Sequence, residues 1–339
     1  MAVCFLVFAD LHTDIMHDAV ARMQIILEEA KNRHVDFIIH LGDIMYPDKE
    51  FLRIHEPDRE QSGWFHNDRD DEKLEIRRMI AESALKVYGV LGNHDMDSCS
   101  KETACAYYGM PSPYYSFDRN GFRFIALDTN NIRDGETYLP FDHCNYGNYK
   151  HKGQLNWLGP QQLEWMKKQI MSSLYPCILL SHAPLADNIL NAQDGAEVWR
   201  IIHECNRERR RVIFALNGHN HIDGVCCRAG VPFMSVNSAS NIWIGNKYPC
   251  VRYSKTISDM YPYLKYTAPY WDALFAVITI DETGIHVRGR QSSFVGPSPY
   301  ELGFPKESFF HLIRPSVRDR DLSLQSIDAD GIIDYGDIE

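Results

Sequence analysis

Seven side chains in five short segments could together hold metal. They are Asp10 and His12 in Asp10-Leu11-His12, Asp43 in Gly42-Asp43, Asn93 in Gly92-Asn93-His94-Asp95, His182 in Ser181-His182-Ala183-Pro184, and His219 and His221 in Gly218-His219-Asn220-His221. The set offers carboxylate, amide oxygen and imidazole but no thiolate. It is too large for one four-coordinate ion and suits two five- or six-coordinate ions sharing a carboxylate. Mixed oxygen and nitrogen ligation fits Mn2+ or Fe, with Zn2+ also admitted, better than Mg2+ or copper. Two divalent ions carry about +4 and two aspartates return about −2, so such a site attracts a phosphate even on an acidic chain. A metal pair ~3.5–4 Å apart can activate a water and stabilise both oxygens of an in-line displacement at phosphorus.

Taken singly, each segment has a plainer reading. Gly-Asp is an ordinary turn dipeptide, Asn-His-Asp could cap a helix, and a lone histidine is more often structural than ligating. What the five share is their place in the chain: each follows a short apolar run. In an open α/β sheet, residues beyond the carboxyl ends of parallel strands converge on one crevice. Five strand ends bearing Asp, Asn or His, with no Lys or Arg among them, are hard to reach by chance.

The elements that must deliver these ends are legible in the hydrophobic pattern. Residues 3–9 (VCFLVFA), 35–41 (VDFIIHL), 86–91 (KVYGVL), 177–180 and 212–216 read as strands, being short, apolar and rich in β-formers. Residues 17–33, 72–85, 160–174 and 196–210 read as helices; the third has a proline at its start. The alternation predicts an α/β core with largely parallel strands. Residues 114–128, with Asn120-Gly121 between alternating runs, read as a hairpin, as do residues 274–290, turning near Gly284. Parallel units mixed with hairpins suggest two sheets.

Three stretches read as insertions, at about residues 46–71, 133–159 and 238–272, and loops of this length are often functional. The third holds Trp243, Tyr248, Tyr253, Tyr261, Tyr263, Tyr266, Tyr270 and Trp271. Residues 1–291 are expected to form one domain and 292–339 an extension with an acidic tail. That tail, residues 328–339 (DADGIIDYGDIE), resembles a calcium loop only superficially, because its glycine comes too early.

Composition bounds the function. The chain of 339 residues is 45% hydrophobic and 24% charged, as an ordinary globular protein is. A formal net charge of −11 argues against binding of a nucleic-acid polymer. The nine cysteines form no CxxC pair, and we read them as reduced, mostly buried thiols of a cytoplasmic protein. The apolar start MAVCFLVFADLH lacks a basic leading region, and no run approaches the ~18 apolar residues of a membrane span.

In this order, DLH, GD, GNHD, SHAP and GHNH resemble the motifs of the calcineurin-like metallophosphoesterase superfamily, over residues 3 to about 237. The resemblance implies a four-layer α/β/β/α sandwich of two mixed sheets with a dimetal site at one edge. It implies that Asp10, His12, Asp43 and His221 bind one ion, and that Asp43 bridges to a second, completed by Asn93, His182 and His219. It also implies that His94 meets the phosphate and helps protonate the leaving oxygen, and Asp95 could orient that imidazole. One departure is that Ile44-Met45-Tyr46 follows Gly42-Asp43, without the acidic or asparagine residue some members carry there.

The motifs identify the reaction class, hydrolysis of a phosphoester or phosphoanhydride, better than the substrate. Residues 153–158 (GQLNWL) and 162–165 (QLEW) resemble members acting on nucleotide-like diphosphates and cyclic nucleotides, the manganese-dependent ADP-ribose/CDP-alcohol diphosphatases among them. The plainer account is a helix start with core packing. The aromatic insertion could stack a nucleobase or aryl group, with Trp243 and Tyr270 as candidate contacts beside Asn93 and His94, or it could simply pack on the body. The expected function is dimetal hydrolysis of a phosphodiester or phosphoanhydride in a small nucleotide-like molecule. A broad phosphomonoesterase is the enzymatic alternative, and a scaffold that binds protein partners is the other.

Overall fold

The computed structural model describes residues 2–58, 69–148, 153–186, 191–305, 313–324 and 331–332. The acidic tail falls outside these except at Gly331 and Ile332. In chain order the first elements are β1 (Val3–Phe8), α1 (Ala19–Asn32), β2 (Phe37–His40), α2 (Lys49–His55), α3 (Asp70–Glu82), β3 (Val87–Gly89) and α4 (Lys101–Tyr108). Then come β4 (Tyr115–Arg119), β5 (Phe122–Ala126), β6 (Asn131–Asp134), β7 (Thr137–Pro140), α5 (Pro160–Ser172), β8 (Cys177–Ser181), α6 (Gly195–Cys205) and β9 (Val212–Asn217). The chain continues through β10 (Gly224–Arg228), β11 (Val231–Ser235), β12 (Asn241–Trp243), α7 (Lys255–Met260), β13 (Thr267–Pro269), β14 (Ala276–Ile280) and β15 (Ile285–Gly289). It closes with β16 (Arg320–Leu322) and β17 (Gly331–Ile332).

Two mixed sheets form the centre. One is six-stranded in the order β16-β15-β14-β1-β2-β3, and the other seven-stranded in the order β17-β10-β11-β9-β8-β5-β4. Alternation along each strand assigns the layers, because successive side chains leave opposite faces. In β1, Phe5 and Val7 enter a core shared by both sheets, while Leu6 and Phe8 face the helices α1 and α3. In β8, Ile178 and Leu180 join the shared core, while Leu179 meets α5 and α6. The result is an α/β/β/α sandwich. Phe5, Phe37 and Phe124 meet at its middle, with ring centroids 5.3–5.5 Å apart, each buried ring contributing ~1.5–3 kcal/mol.

The helices form because their apolar residues recur at helical spacing. In α1 the buried positions are Ala19, Arg22, Met23, Ile26 and Ala30; in α6 they are Gly195, Val198, Ile201, Ile202 and Cys205. The exception among α1's buried residues, Arg22, is satisfied: it pairs with Asp18 and donates to the carbonyls of Ala239 and Tyr270, which ties the third insertion to the helix layer.

Within the sheets, β1 runs parallel to β2 and β2 to β3, and β5, β8, β9 and β11 are parallel in turn. The carboxyl ends that carry the five motifs therefore share one edge in each sheet. The two expected hairpins are present as β4–β5 and β14–β15. The insertions hold structure that periodicity did not indicate: α2 lies in the first, the β6–β7 hairpin at the second, and the β12–β13 pair in the third.

The described part of the extension joins the domain rather than trailing from it. Strand β16 pairs with β15, and Asp223, two residues after His221, receives both Arg318 and Arg320 at 2.8–3.1 Å. All nine cysteines are free thiols. Among the described residues, no helix is long and apolar enough to cross a membrane.

Candidate metal centre

The five motif loops interlock where the two sheets' carboxyl ends meet. Asp10 N–H donates to Gly42 O, and His12 N–H to Asp43 O, so the loops after β1 and β2 are laced by backbone bonds. The other sheet is joined by His182 Nδ1, 2.7 Å from Leu41 O, and by His219 N–H, which donates to Asp10 Oδ2 at 3.0 Å. Five candidate ligands, Asp10, His12, Asp43, His219 and His221, have positive φ between 52° and 69°. Non-glycine residues adopt this left-handed region rarely and at a cost, and such outliers cluster at functional sites. Here the bend turns each side chain off the strand direction and into the cleft.

Two motif glycines are required for space. A Cβ on Gly92 would lie 2.1 Å from Asp43 Oδ1, and one on Gly218 would lie 2.7 Å from Asp10 Oδ2. Gly218 is thus explained by close approach; the left-handed bends in that loop fall on His219 and His221 themselves.

The candidate ligands fall into two groups. Asp10, His12 and His221 form one, and Asp43, His182 and His219 the other, the donor atoms within each group lying within 4.8 Å of one another. Nε2 of His12 and Nε2 of His221 are 3.1 Å apart, and Asp10 Oδ1 is 3.3 Å from the latter. In the second group His182 Nε2 lies 3.0 Å from His219 Nδ1, 3.2 Å from Asp43 Oδ2 and 3.2 Å from Asn93 Oδ1. Donors bound ~2.1 Å from one ion at near-right angles are themselves about 3 Å apart. His219 and His221, two apart in sequence, thus point into different groups.

These residues fit a divalent pair on the evidence of their own unmet needs. Asp10 Oδ1 is buried with no hydrogen-bond partner, an expensive state for a carboxylate unless a cation meets it. The outer nitrogens of two imidazoles are spoken for: His182 Nδ1 faces Leu41 O, and His221 Nδ1 faces Asn241 O. Those carbonyls leave each Nε2 as the atom that faces the metal group, as metal-binding histidines require; burial opposes charge on His182, but Asp43 raises it to about 9, so a bound cation would take the place of its Nε2 proton. Burial pushes His12 down to about 3, and burial with His182 beside it does the same to His219, so both rings are neutral. Burial opposes charge on Asp43, yet His182 and His94 hold it well below the usual carboxylate range.

His94 stands at the mouth of the cleft. Its ring centroid is 5.4 Å from that of His12, and its backbone N–H donates to Asp43 Oδ1 at 2.8 Å. Burial disfavours its charge, but Asp97 and Asp43 outweigh this and raise it to about 10.

The structure corrects the expectation for Asp95. Its carboxylate does not reach the His94 ring; it accepts the backbone N–H groups of Asp43, Ile44, Met45 and Gly92 and the Tyr108 hydroxyl. It braces the loops after β2 and β3. The carboxylate on the His94 ring is Asp97, with Oδ2 2.8 Å from Nδ1. A short 3-10 turn, His94–Met96, explains the exchange, because three-residue spacing superposes side chains on one face and the next residue points away. Sequence reading also missed Tyr146, whose hydroxyl donates to Asp97 Oδ1 at 2.5 Å and lies 3.4 Å from both His94 Nδ1 and Asn93 Nδ2. Asp97 had a signal in its spacing; Tyr146 had none.

Tyr270 requires a second correction. It is 0% exposed, and its hydroxyl bonds to Asn237 Oδ1 at 3.0 Å, so it belongs to the core and meets no substrate. Most of the third insertion packs on the body: Tyr253 lies against His17, Tyr261 bonds Glu72, and Tyr248 packs on Phe304. Trp243 is 42% exposed, on the strand whose Asn241 carbonyl holds His221.

Residues 5–223 match the model of a family described as calcineurin-like phosphoesterase. Among solved structures, the fold is similar to that of a dimetal phosphatase from Danio rerio, at 15% identity and a TM-score of 0.57, covering 86% of this chain and 98% of that one. It is also similar to GAP50, the anchor in the inner membrane complex of Plasmodium, at 12% identity and a TM-score of 0.51, covering 96% of this chain and 90% of that one. No curated protein matches the sequence.

Proposed function

Because the chain belongs to the calcineurin-like phosphoesterase family and is thereby a metal-dependent phosphoesterase, we propose that it hydrolyses a phosphodiester or phosphoanhydride bond in a small nucleotide-like molecule. The observation that carries this reading is the placing of His94, held at Nδ1 by Asp97, beside two separate groups of metal-ligating side chains. Asp10, His12 and His221 would hold one divalent ion and Asn93, His182 and His219 a second, with Asp43 placed to serve both. When bound, such a pair, Mn2+ or Fe, would supply positive charge for the phosphoryl oxygens and for activating a water. His94 donates its Nε2 proton to the leaving oxygen while Asp97 and Tyr146 hold Nδ1.

Two features support a diester or anhydride over a monoester. The five motif segments contain no Lys or Arg to neutralise the second charge of a monoester dianion. Trp243 offers an exposed ring beyond the edge that holds His221, suited to a base or aryl group. The scaffold alternative is disfavoured because the whole ligand set and the acid are retained.

A Mn2+-supplemented panel of bis-p-nitrophenyl phosphate, p-nitrophenyl phosphate, cyclic nucleotides and nucleoside diphosphate esters tests the reading. Turnover of the diester or anhydride, lost by about 10²–10⁴-fold in His94→Gln, is expected. Turnover of monoesters alone would reject it.

A further inference from the structure

A cavity of about 590 Å3 opens where β3 forms the edge of the six-stranded sheet, and none of the seven candidate ligands lines it. Its size falls in the range of small-molecule sites, ~300–1,000 Å3. One wall is aliphatic, from Met23, Leu27 and Ile80 on α1 and α3, and the facing wall is aromatic, including Tyr88 and Tyr108.

Its charged groups are of one sign, and among the described residues no aspartate or glutamate lines it. Arg77 is committed, paired with Asp48 and lying over the Tyr107 ring at 4.5 Å. Lys86, at the exposed rim, has no ion pair among the described residues and sits 5.6 Å from the Tyr88 ring centroid. Inside, His40 is buried, and its Nδ1 has no hydrogen-bond partner. Its ring occupies the space over Gly89, where a Cβ would stand 2.0 Å from Nε2.

We propose that this cavity is an effector site for a planar aromatic molecule bearing one carboxylate or sulfonate. The ring lies against Tyr88 and Tyr108, and the anion meets Lys86. Tyr108 carries the effect onward. Its hydroxyl bonds Asp95 Oδ1 at 2.9 Å and accepts Met45 N–H at 3.1 Å, while Asp95 accepts the N–H of Asp43. An occupant that holds the Tyr108 ring orders the Asp43 loop and favours metal binding, and linkage makes the effect reciprocal. This second part rests on the dimetal reading above.

The probe is 8-anilinonaphthalene-1-sulfonate, titrated by fluorescence into metal-free protein. One saturable site is expected, weakened at least tenfold in Lys86→Glu and abolished in Ala81→Trp, which fills the rim from an exposed position on α3. Both variants should melt with the wild type. Failure of the probe to bind, or binding unchanged in Lys86→Glu, would overturn the site whatever the outcome for Ala81→Trp. Calorimetry should then show Mn2+ binding at least fivefold tighter with the probe bound. An unchanged Mn2+ affinity would overturn the effector role and leave the pocket standing. Absence of any Mn2+ binding would count against the metal reading and not against the pocket.

Discussion

Asp97 Oδ2 lies 2.8 Å from His94 Nδ1, three residues away on one tight turn, and this carboxylate favours the charged form of the imidazole beside the metal groups. The general acid must be protonated, so activity falls as pH rises through the His94 pKa. Asp97→Asn removes the charge that raises it. The alkaline limb of the kcat/KM profile is therefore expected to move to lower pH, with kcat down about 10–100-fold and KM little changed. Asp95→Asn takes one acceptor oxygen from the bonds to four backbone N–H groups and a hydroxyl. It is expected to destabilise the fold by about 3 kcal/mol without moving that limb. The pair of profiles and melting curves separates the two carboxylates.

Gly92→Ala places a methyl 2.1 Å from Asp43 Oδ1. Backbone and carboxylate are both rigid there, so the loop must shift rather than a side-chain end. Mn2+ affinity is expected to fall at least tenfold, read by calorimetry on folded variant.

His40 is buried at the end of β2, and burial lowers it from 6.5 to about 4. A depressed histidine means that the unfolded chain binds the extra proton between those values. Its contribution is complete above pH 6.5 and is lost as pH falls toward about 4, to the extent of about 3 kcal/mol. Urea melts of the wild type and His40→Gln over this window are expected to show the wild type losing stability more steeply on acidification. Parallel curves would exclude this origin for the acid sensitivity.

Asp223 is buried between Arg318 and Arg320, with a two-bond contact to Arg320 at 2.8 Å. Asp223→Asn leaves Arg320 buried without its counter-charge and should cost about 3–5 kcal/mol. Limited proteolysis is expected to cut first near residues 313–322 in the variant, because the Asp223 cluster is the buried charged anchor of that segment, the other polar ties of β16, at Asp321, being exposed.

Much of the fold was legible because its strands are short apolar runs and its helices repeat at three and four residues. The Asn120-Gly121 turn and the Gly284 turn named both hairpins in advance. Helix α2 was not legible, since it buries only Leu52 and so carries no periodic stripe. The candidate ligands were legible because each stands at the end of a parallel strand, and strand direction alone brings them to one edge. Tyr146 was not, because its approach to Asn93 and Asp97 depends on how the second insertion folds over the cleft. Tyr270 misled because its setting next to β13 turns it inward, beneath Ser240 and against Phe294, which composition cannot reveal.

The most direct test of the central claim is a count of bound metal. Protein saturated with Mn2+, freed of excess by gel filtration and analysed by inductively coupled plasma mass spectrometry, is expected to hold two ions per chain. His12→Ala and His219→Ala, one from each group, are each expected to retain one. A wild-type protein that binds one ion or none would contradict the division of these seven residues into two adjoining sites.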